Sequence, residues 1–298
     1  MKNLSIFYFL IAFSLLFSCK SSQELLYTDG PTPALVADGF AFTEGPAVAP
    51  NGDIYFTDQP NNRIHLWSAE TGKVTVYMEN AGRANGLFFD QEGNLLACAD
   101  EKFQLWQIDK NKNVKILVDG FEEKDFNGPN DLWVDQKGGI YFTDPYYQRE
   151  YWERQKMEME SQRVYYRNPE NKEVKVVADH FVRPNGIIGT KDGKTLYIAD
   201  IGDKKTYKYT VHKDGSLGEP QLFTALGSDG MTIDEKGNVY LTSNGVTVFN
   251  PQGQQIGHIP VPQKWTANVT FGGKDRKTLF ITASTAVYTV DMNIKGAK

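Results

Sequence analysis

Six apolar runs recur along the chain at similar spacing: DIYFTD (53–58), NLLACAD (94–100), GIYFTDP (139–145), KTLYIAD (194–200), NVYLTS (238–243) and KTLFITA (277–283). A second apolar run lies just upstream of each, in EGPAVAPNG, NGLFFDQEG, NDLWVDQKG, NGIIGTKDG, DGMTIDEKG and NVTFGGKDR. Short apolar runs bounded by glycine turns predict strands, and nothing in the chain shows a long helical period. The third repeat shows four candidate strands in order: DLWVD, GIYFTDP, RVYYRNP and VKVVADHF. The turn residues Gly52, Gly93, Gly138, Gly193, Gly237 and Arg276 stand about 40 to 55 residues apart, the period of a propeller blade. The fourth-strand pattern also appears as PALVADGF, Pro33–Phe40, before the first repeat, whereas the last repeat has no fourth strand of its own. The fold expected is therefore all-β, a six-bladed β-propeller whose last blade is closed by the N-terminal strand at about 33–40.

One polar residue stands eight positions before each turn: Glu44, Asn85, Asn130, Asn185, Asp229 and Asn268. In a closed ring these residues share one end of the central channel. Each carries an oxygen, and Glu44 and Asp229 carry carboxylates. Such donors suit a hard cation, calcium or another divalent ion. Connections from second to third strands return to that end. The longest, Pro145–Gln162, carries Tyr146, Tyr147, Arg149, Tyr151, Trp152 and Arg154 and is expected to lie over the channel mouth as a lid.

Composition narrows the function classes. A net charge of −5 with no Lys/Arg run excludes a nucleic-acid footprint. No GxSxG elbow is present, and His65, His180, His212 and His258 fall outside the ring. Cys98 lies inside an apolar strand and reads as a buried, inert thiol. Asp58, Asp100, Asp144 and Asp200 end second strands, where Asp commonly caps a turn. Asp144 and Asp200, with Ser243-Asn244, are also candidate pocket residues.

The N-terminus divides as a signal peptide over 1–18 and a tether over 19–32, ahead of a single propeller domain over 33–298. Lys2 precedes the apolar run Leu4–Phe17, which is short for a membrane span. Leu16-Phe17-Ser18-Cys19 resembles a bacterial lipobox, which implies cleavage before Cys19 and lipidation of its thiol. The expected location is the bacterial cell envelope, lipid-anchored on a periplasmic or extracellular face, or secreted if Cys19 is not acylated. The membrane is then reached through the anchor alone.

FTEGP (42–46), GPNDL (128–132), RPNGI (183–187), SDGM (228–231) and NVTFGGKDRKTLFIT (268–282) resemble the senescence-marker-protein/gluconolactonase/luciferin-regenerating-enzyme family, the bacterial gluconolactonases above all, across residues 33 to 292. The resemblance implies one divalent cation held by Glu44, Asn185 and Asp229, with Asn130 on the metal or the substrate and Asp229 as candidate general base. Ser228 stands where the family often has Pro. The implied activity is metal-dependent opening of a sugar lactone to the aldonic acid by a monomer. Asn85 and Asn268 share only the internal register and are assigned to the rim as substrate contacts, together with Asp144, Tyr146, Arg149 and Trp152. Two alternatives use the same scaffold: a phosphotriesterase-like hydrolase, and a surface-tethered propeller that binds glycans or proteins without catalysis.

Overall fold

The computed structural model describes residues 26, 27 and 30–297. The expected signal segment and Cys19 lie outside the described residues. Among these, no helix is long and apolar enough to cross a membrane. Six four-stranded antiparallel sheets form the blades, and five of them run in simple chain order. The sixth begins with Ala34–Asp38, which pairs with Ala286–Asp291 from the end of the chain. The expected closure over Pro33–Phe40 is present but shorter. Gly39 turns the backbone out at φ 87°. Phe40 still packs edge-on against Phe56 and His65, at 5.4 and 5.0 Å between ring centroids. Leu26 and Tyr27, expected in the tether, instead dock on the propeller: Asn293 donates its backbone N–H to the Leu26 carbonyl at 3.0 Å and its side-chain amide to the Tyr27 carbonyl at 2.7 Å. Their apolar side chains make this the favourable outcome, since both pack beside a core cluster.

The inner strands are Thr43–Val48, Ala84–Phe89, Leu132–Val134, Pro184–Gly189, Met231–Ile233 and Asn268–Gly272. Each lies against the inner strand of the blades on either side. The second strands are packed on both faces, which is why they read as nearly continuous apolar runs rather than alternating ones. Phe56, Phe142, Tyr141, Tyr240 and Phe280 are completely buried there.

The residue after most ring positions is glycine, and the packing of neighbouring inner strands explains it. A Cβ on Gly45, at φ 44°, would lie 2.0 Å from the Asn85 carbonyl oxygen. A Cβ on Gly230 would lie 1.8 Å from the Asn268 side-chain carbon. Backbone hydrogen bonds cross between blades at the same level, Gly86 N to Asn130 O and Gly230 N to Ala267 O, both 2.7 Å. The threonine of the FTD-type runs adds to this seam. The Thr57 hydroxyl donates to Asn85 O at 3.0 Å, and that of Thr242 donates to Ala267 O at 2.8 Å. In blades 1, 2 and 4 the register slips between Glu44 and Ala47, Ala84 and Leu87, and Pro184 and Ile187. These bulges fall at the ring residue, where a bulge re-aims a side chain.

Candidate functional site

The segment leading into an inner strand is fixed from behind. Asp58 accepts the backbone N–H groups of Ala41 and Phe42, both at 3.1 Å. Asp144 accepts those of Asn127 and Gly128 at 2.9 and 2.8 Å. Asp200 accepts those of Val182 and Arg183, both at 2.8 Å. Each clamp acts two and three residues before a ring position, so Glu44, Asn130 and Asn185 leave a rigid backbone.

Glu44, Asn85, Asn130, Asn185 and Asp229 line one cavity of about 450 Å³ at the channel mouth. Phe42, Gln59, Tyr147, Arg149, Arg183, Ile201 and Trp265 complete its wall. Glu44 Oε2 accepts the Gly45 N–H at 2.6 Å and the Asn268 amide at 3.1 Å. Asp229 Oδ2 accepts the Trp265 indole N–H at 2.6 Å. Asn185 donates its amide N–H to the Tyr147 hydroxyl at 2.9 Å, which leaves its Oδ1 as the free acceptor.

The two carboxyl groups perturb each other. Burial raises Asp229 to about 6, and its bonds to Trp265 and Asn185, with the Arg149 charge, hold it from going higher. Burial, and then the Asp229 charge, push Glu44 well above the ordinary carboxylate range. Neither forms an ion pair among the described residues. Two acids buried together, with no ion pair and only the Arg149 charge to offset them, favour a shared proton or a bound cation. The donor set fits a hard cation: two carboxylates beside the amide oxygens of Asn130 and Asn185. It does not fit a soft-ligand site, and no group of three His, Cys, Asp or Glu side chains that could hold a metal occurs among the described residues.

The structure also separates residues that the sequence had grouped. Asn268 lies below the cavity, where its Oδ1 accepts the Val269 N–H at 2.8 Å while its amide braces Glu44. It supports the ring rather than the rim. Asp144 is completely buried, with both oxygens committed to its clamp, so its assignment as a substrate contact is corrected. Trp152 and Tyr146, also assigned as substrate contacts, lie outside the cavity wall. The Trp152 indole donates to the Asp100 carbonyl at 3.3 Å and packs 5.0 Å from the Phe103 ring. Tyr146 lies against Trp152 at 5.9 Å. Of the long segment's residues, Tyr147 and Arg149 reach the cavity.

Three residues escaped the sequence reading. Asp131 is buried in the channel, where burial raises it to about 7 and its charge bears on Glu44. It occupies the position held by Gly45, Gly86, Gly186 and Gly230 in four other repeats, so its departure from the pattern was a visible signal. Arg183 sits in the RPNGI run beside Asn185. Trp265 comes from a connection between blades and carries no repeat signal. Cys98 is completely buried, and burial raises its thiol well above its ordinary value.

Comparison with known proteins places the arrangement. The profile of the SMP-30/Gluconolactonase/LRE-like region matches residues 42–285. The gluconolactonase of Zymomonas mobilis is 28% identical over 289 residues, covering 86% of this chain and 80% of that protein. The pentonolactonase XacC of Haloferax volcanii is 24% identical over 258 residues, covering 81% of each chain. The solved structure of XC5397 from Xanthomonas campestris, described as a gluconolactonase, superposes with a TM-score of 0.81 at 28% identity, covering 87% of this chain and 88% of that one. With the profile spanning five complete blades and two strands of the sixth, the chain belongs to the SMP-30/gluconolactonase/LRE-like family.

Proposed function

We propose that the chain is a lactonase that opens a sugar lactone, glucono-1,5-lactone in the first instance, to the aldonic acid. The observation that carries this reading is the pair of buried carboxyls, Glu44 and Asp229, at the axis of a cavity ringed by amide oxygens. Similarity to gluconolactonases over most of the chain supports the substrate class.

Glu44, Asn130, Asn185 and Asp229 would hold a divalent cation, calcium before others. When bound, such an ion supplies Lewis-acid polarisation of the lactone carbonyl and stabilises the oxyanion. The chain's own groups do the rest. Trp265 fixes Asp229 Oδ2, which leaves Oδ1 to take the proton of the attacking water. Water oxygen bonds to the carbonyl carbon, the ring C–O bond breaks, and the departing ring oxygen takes the proton back from Asp229 and leaves as a hydroxyl. Tyr147 holds the Asn185 amide in one orientation. Arg149 and Arg183, both in the cavity wall, face the polar substituents of the substrate.

The test is hydrolysis of glucono-1,5-lactone by the full chain in detergent, before and after EDTA. Turnover that EDTA removes and calcium restores supports the reading. No turnover of any lactone in a broad panel by calcium-loaded protein overturns it, and phosphotriester turnover in its place would favour the other hydrolase. Retention of ligand binding by Glu44→Gln and Asp229→Asn, with no wild-type turnover, would favour a binding propeller. The same reading places the enzyme on the cell envelope through acylated Cys19. Metabolic labelling with palmitate, lost in Cys19→Ser, is the expected result.

A further inference from the structure

Three second strands end in aspartate, and in blade 2 Asp100 follows the strand as the first residue of a short 3-10 turn. Asp58, Asp144 and Asp200 each take two backbone N–H groups just before a ring residue. Asp100 has the same place in blade 2 and does something else. The corresponding N–H, that of Arg83, is taken by the Asn62 side chain at 2.7 Å. Gly82, its neighbour, accepts the Glu101 N–H on its carbonyl at 3.1 Å. The Asp100 carboxylate is thereby released from clamping while remaining buried at 3% exposure.

Its carboxylate's partners, Arg149 and Tyr151, come from the long segment between blade 3's second strand, Ile140–Asp144, and third strand, Arg163–Arg167. The Arg149 guanidinium lies 3.4 Å from Oδ2 as an ion pair. The Tyr151 hydroxyl donates to the same oxygen. The Trp152 indole donates to the Asp100 carbonyl at 3.3 Å. Arg83 of blade 2 adds a cation over the Tyr151 ring, 4.4 Å from its centroid. At its start the segment is tied within its own blade, the Tyr146 N–H donating to Gln162 at 2.8 Å. Midway, Arg154 donates to the Phe126 carbonyl at 2.8 Å. Asp100 is the polar grip on the neighbouring blade, beside the contacts of Trp152 and Arg154 with the Phe103 ring at 5.0 and 3.6 Å.

We propose that Asp100 is a positioning residue, which straps residues 145–162 across blade 2 and so holds Tyr147 and Arg149 in the wall of the site. The two ends of the device are close in sequence. Arg149, held by Asp100, also lines the cavity, with its guanidinium carbon 5.4 Å from the Tyr147 ring centroid. Tyr147 is the hydrogen-bond acceptor that orients Asn185. Loss of the grip frees the segment between its tied ends, and both residues leave their stations. A strap that served only to cover blade 2 would leave the cavity indifferent to its release.

The kinetic arm of the test rests on the lactonase reading, and the proteolytic arm does not. Trypsin cuts after Arg149, Arg154 and Lys156 only where the strap is loose. Asp100→Asn keeps the shape and removes the charge. It is expected to speed cleavage in the strap at least tenfold and to lower kcat/KM for glucono-1,5-lactone about 100-fold, the scale set by small displacements of positioning groups. Tyr151→Phe removes one hydrogen bond without emptying the site and gives smaller changes in the same direction, which guards against misfolding of the first variant. Tyr147→Phe leaves cleavage unchanged and lowers kcat/KM about tenfold, in the range of losses from partners behind metal ligands. Asp58→Asn, the same register position with a clamping role, leaves strap cleavage at the wild-type rate. Asp100→Asn protein whose strap resists trypsin as wild type does, or whose loosened strap leaves kcat/KM unchanged, overturns the proposal. If wild type turns over no lactone, the lactonase reading fails, while the cleavage rates still decide whether Asp100 holds the strap.

Discussion

The six inner strands build two mouths of opposite chemistry. The upper one holds about 450 Å³ and is lined by Glu44, Asp229 and four ring and wall amides: Gln59, Asn85, Asn130 and Asn185. The lower one is larger, about 550 Å³, and is lined by Val48, Phe88, Phe89, Trp133, Ile188, Ile233 and Phe271. Between them lies a constriction of about 50 Å³ that includes Asp131 and Asn268. The strand geometry is common to both ends, so geometry alone does not choose the site. The first position of each inner run is polar and its later positions are mostly apolar, and that gradient gives one mouth buried acids and amide oxygens and the other a largely apolar wall. Size misleads here: the larger cavity has no buried, unpaired acid, and its carboxylates are occupied. Asp90 accepts the Glu92 and Asn94 N–H groups at 3.0 and 2.8 Å, and Asp135 accepts those of Lys137 and Gly139 at 2.7 and 2.8 Å.

The sharpest contrast between the mouths is chemical. Glu44→Gln or Asp229→Asn is expected to lower lactone turnover by about 1,000-fold or more, in the range for losing a group that acts on the reacting centre. Lys191→Trp, which fills part of the lower mouth, should leave turnover within about twofold. Steady-state kinetics on the three variants checks both halves.

A second contrast is in packing. Gly230→Ala puts a methyl 1.8 Å from the Asn268 side chain, and Gly45→Ala puts one 2.0 Å from the Asn85 carbonyl. Each should cost about 3 kcal/mol. Gly193→Ala, at a turn beside the lower mouth with φ 68° and open space around it, should cost about 1 kcal/mol, for backbone strain alone. Thermal denaturation separates them.

The fold was readable because its constraints repeat. Ring closure needs polar residues at one strand position, a small residue after it and a threonine near the end of the next strand, and each demand is met several times. The site was readable to the extent that it shares that register. Asp131 departs from the pattern one position after the ring residue, where four other repeats have glycine. Tyr147 and Trp152 are both aromatic residues of one long segment, and composition does not say which faces the cavity and which faces blade 2. Asp100 and Asp144 look alike in sequence. Their roles diverge because Asn62 takes the Arg83 N–H that Asp100 would otherwise accept.

The acid pair makes a pH prediction confined to the upper mouth. Glu44 is raised by burial, and Asp229 is raised to about 6 by the same cause. The metal-free fold therefore keeps protons that the unfolded chain gives up near pH 4. Native protein binds more protons in that window, so the pair's contribution to stability falls as pH rises from about 4 through about 6. Calcium held at the proposed site would compete with those protons. Its stabilising shift in thermal midpoint should be small at pH 5 and larger at pH 7.5, and equal shifts at both values would show that the ion binds elsewhere.

The smallest effect concerns orientation. Trp265→Phe removes the 2.6 Å hydrogen bond that helps keep Asp229 ionised. The expected result is a loss in kcat of about tenfold, the scale of one hydrogen bond to a charged group. The acidic limb of the pH–rate profile should move upward. A profile left in place would show that Trp265 only covers the site.

The most direct measurement is calorimetric titration of calcium into chelator-stripped full-length protein, wild type beside Glu44→Gln. A single binding event is expected in the wild type, abolished or weakened about 100-fold in the variant. Absence of any calcium binding by the wild type, or binding that Glu44→Gln leaves intact, contradicts a cation held at the upper mouth.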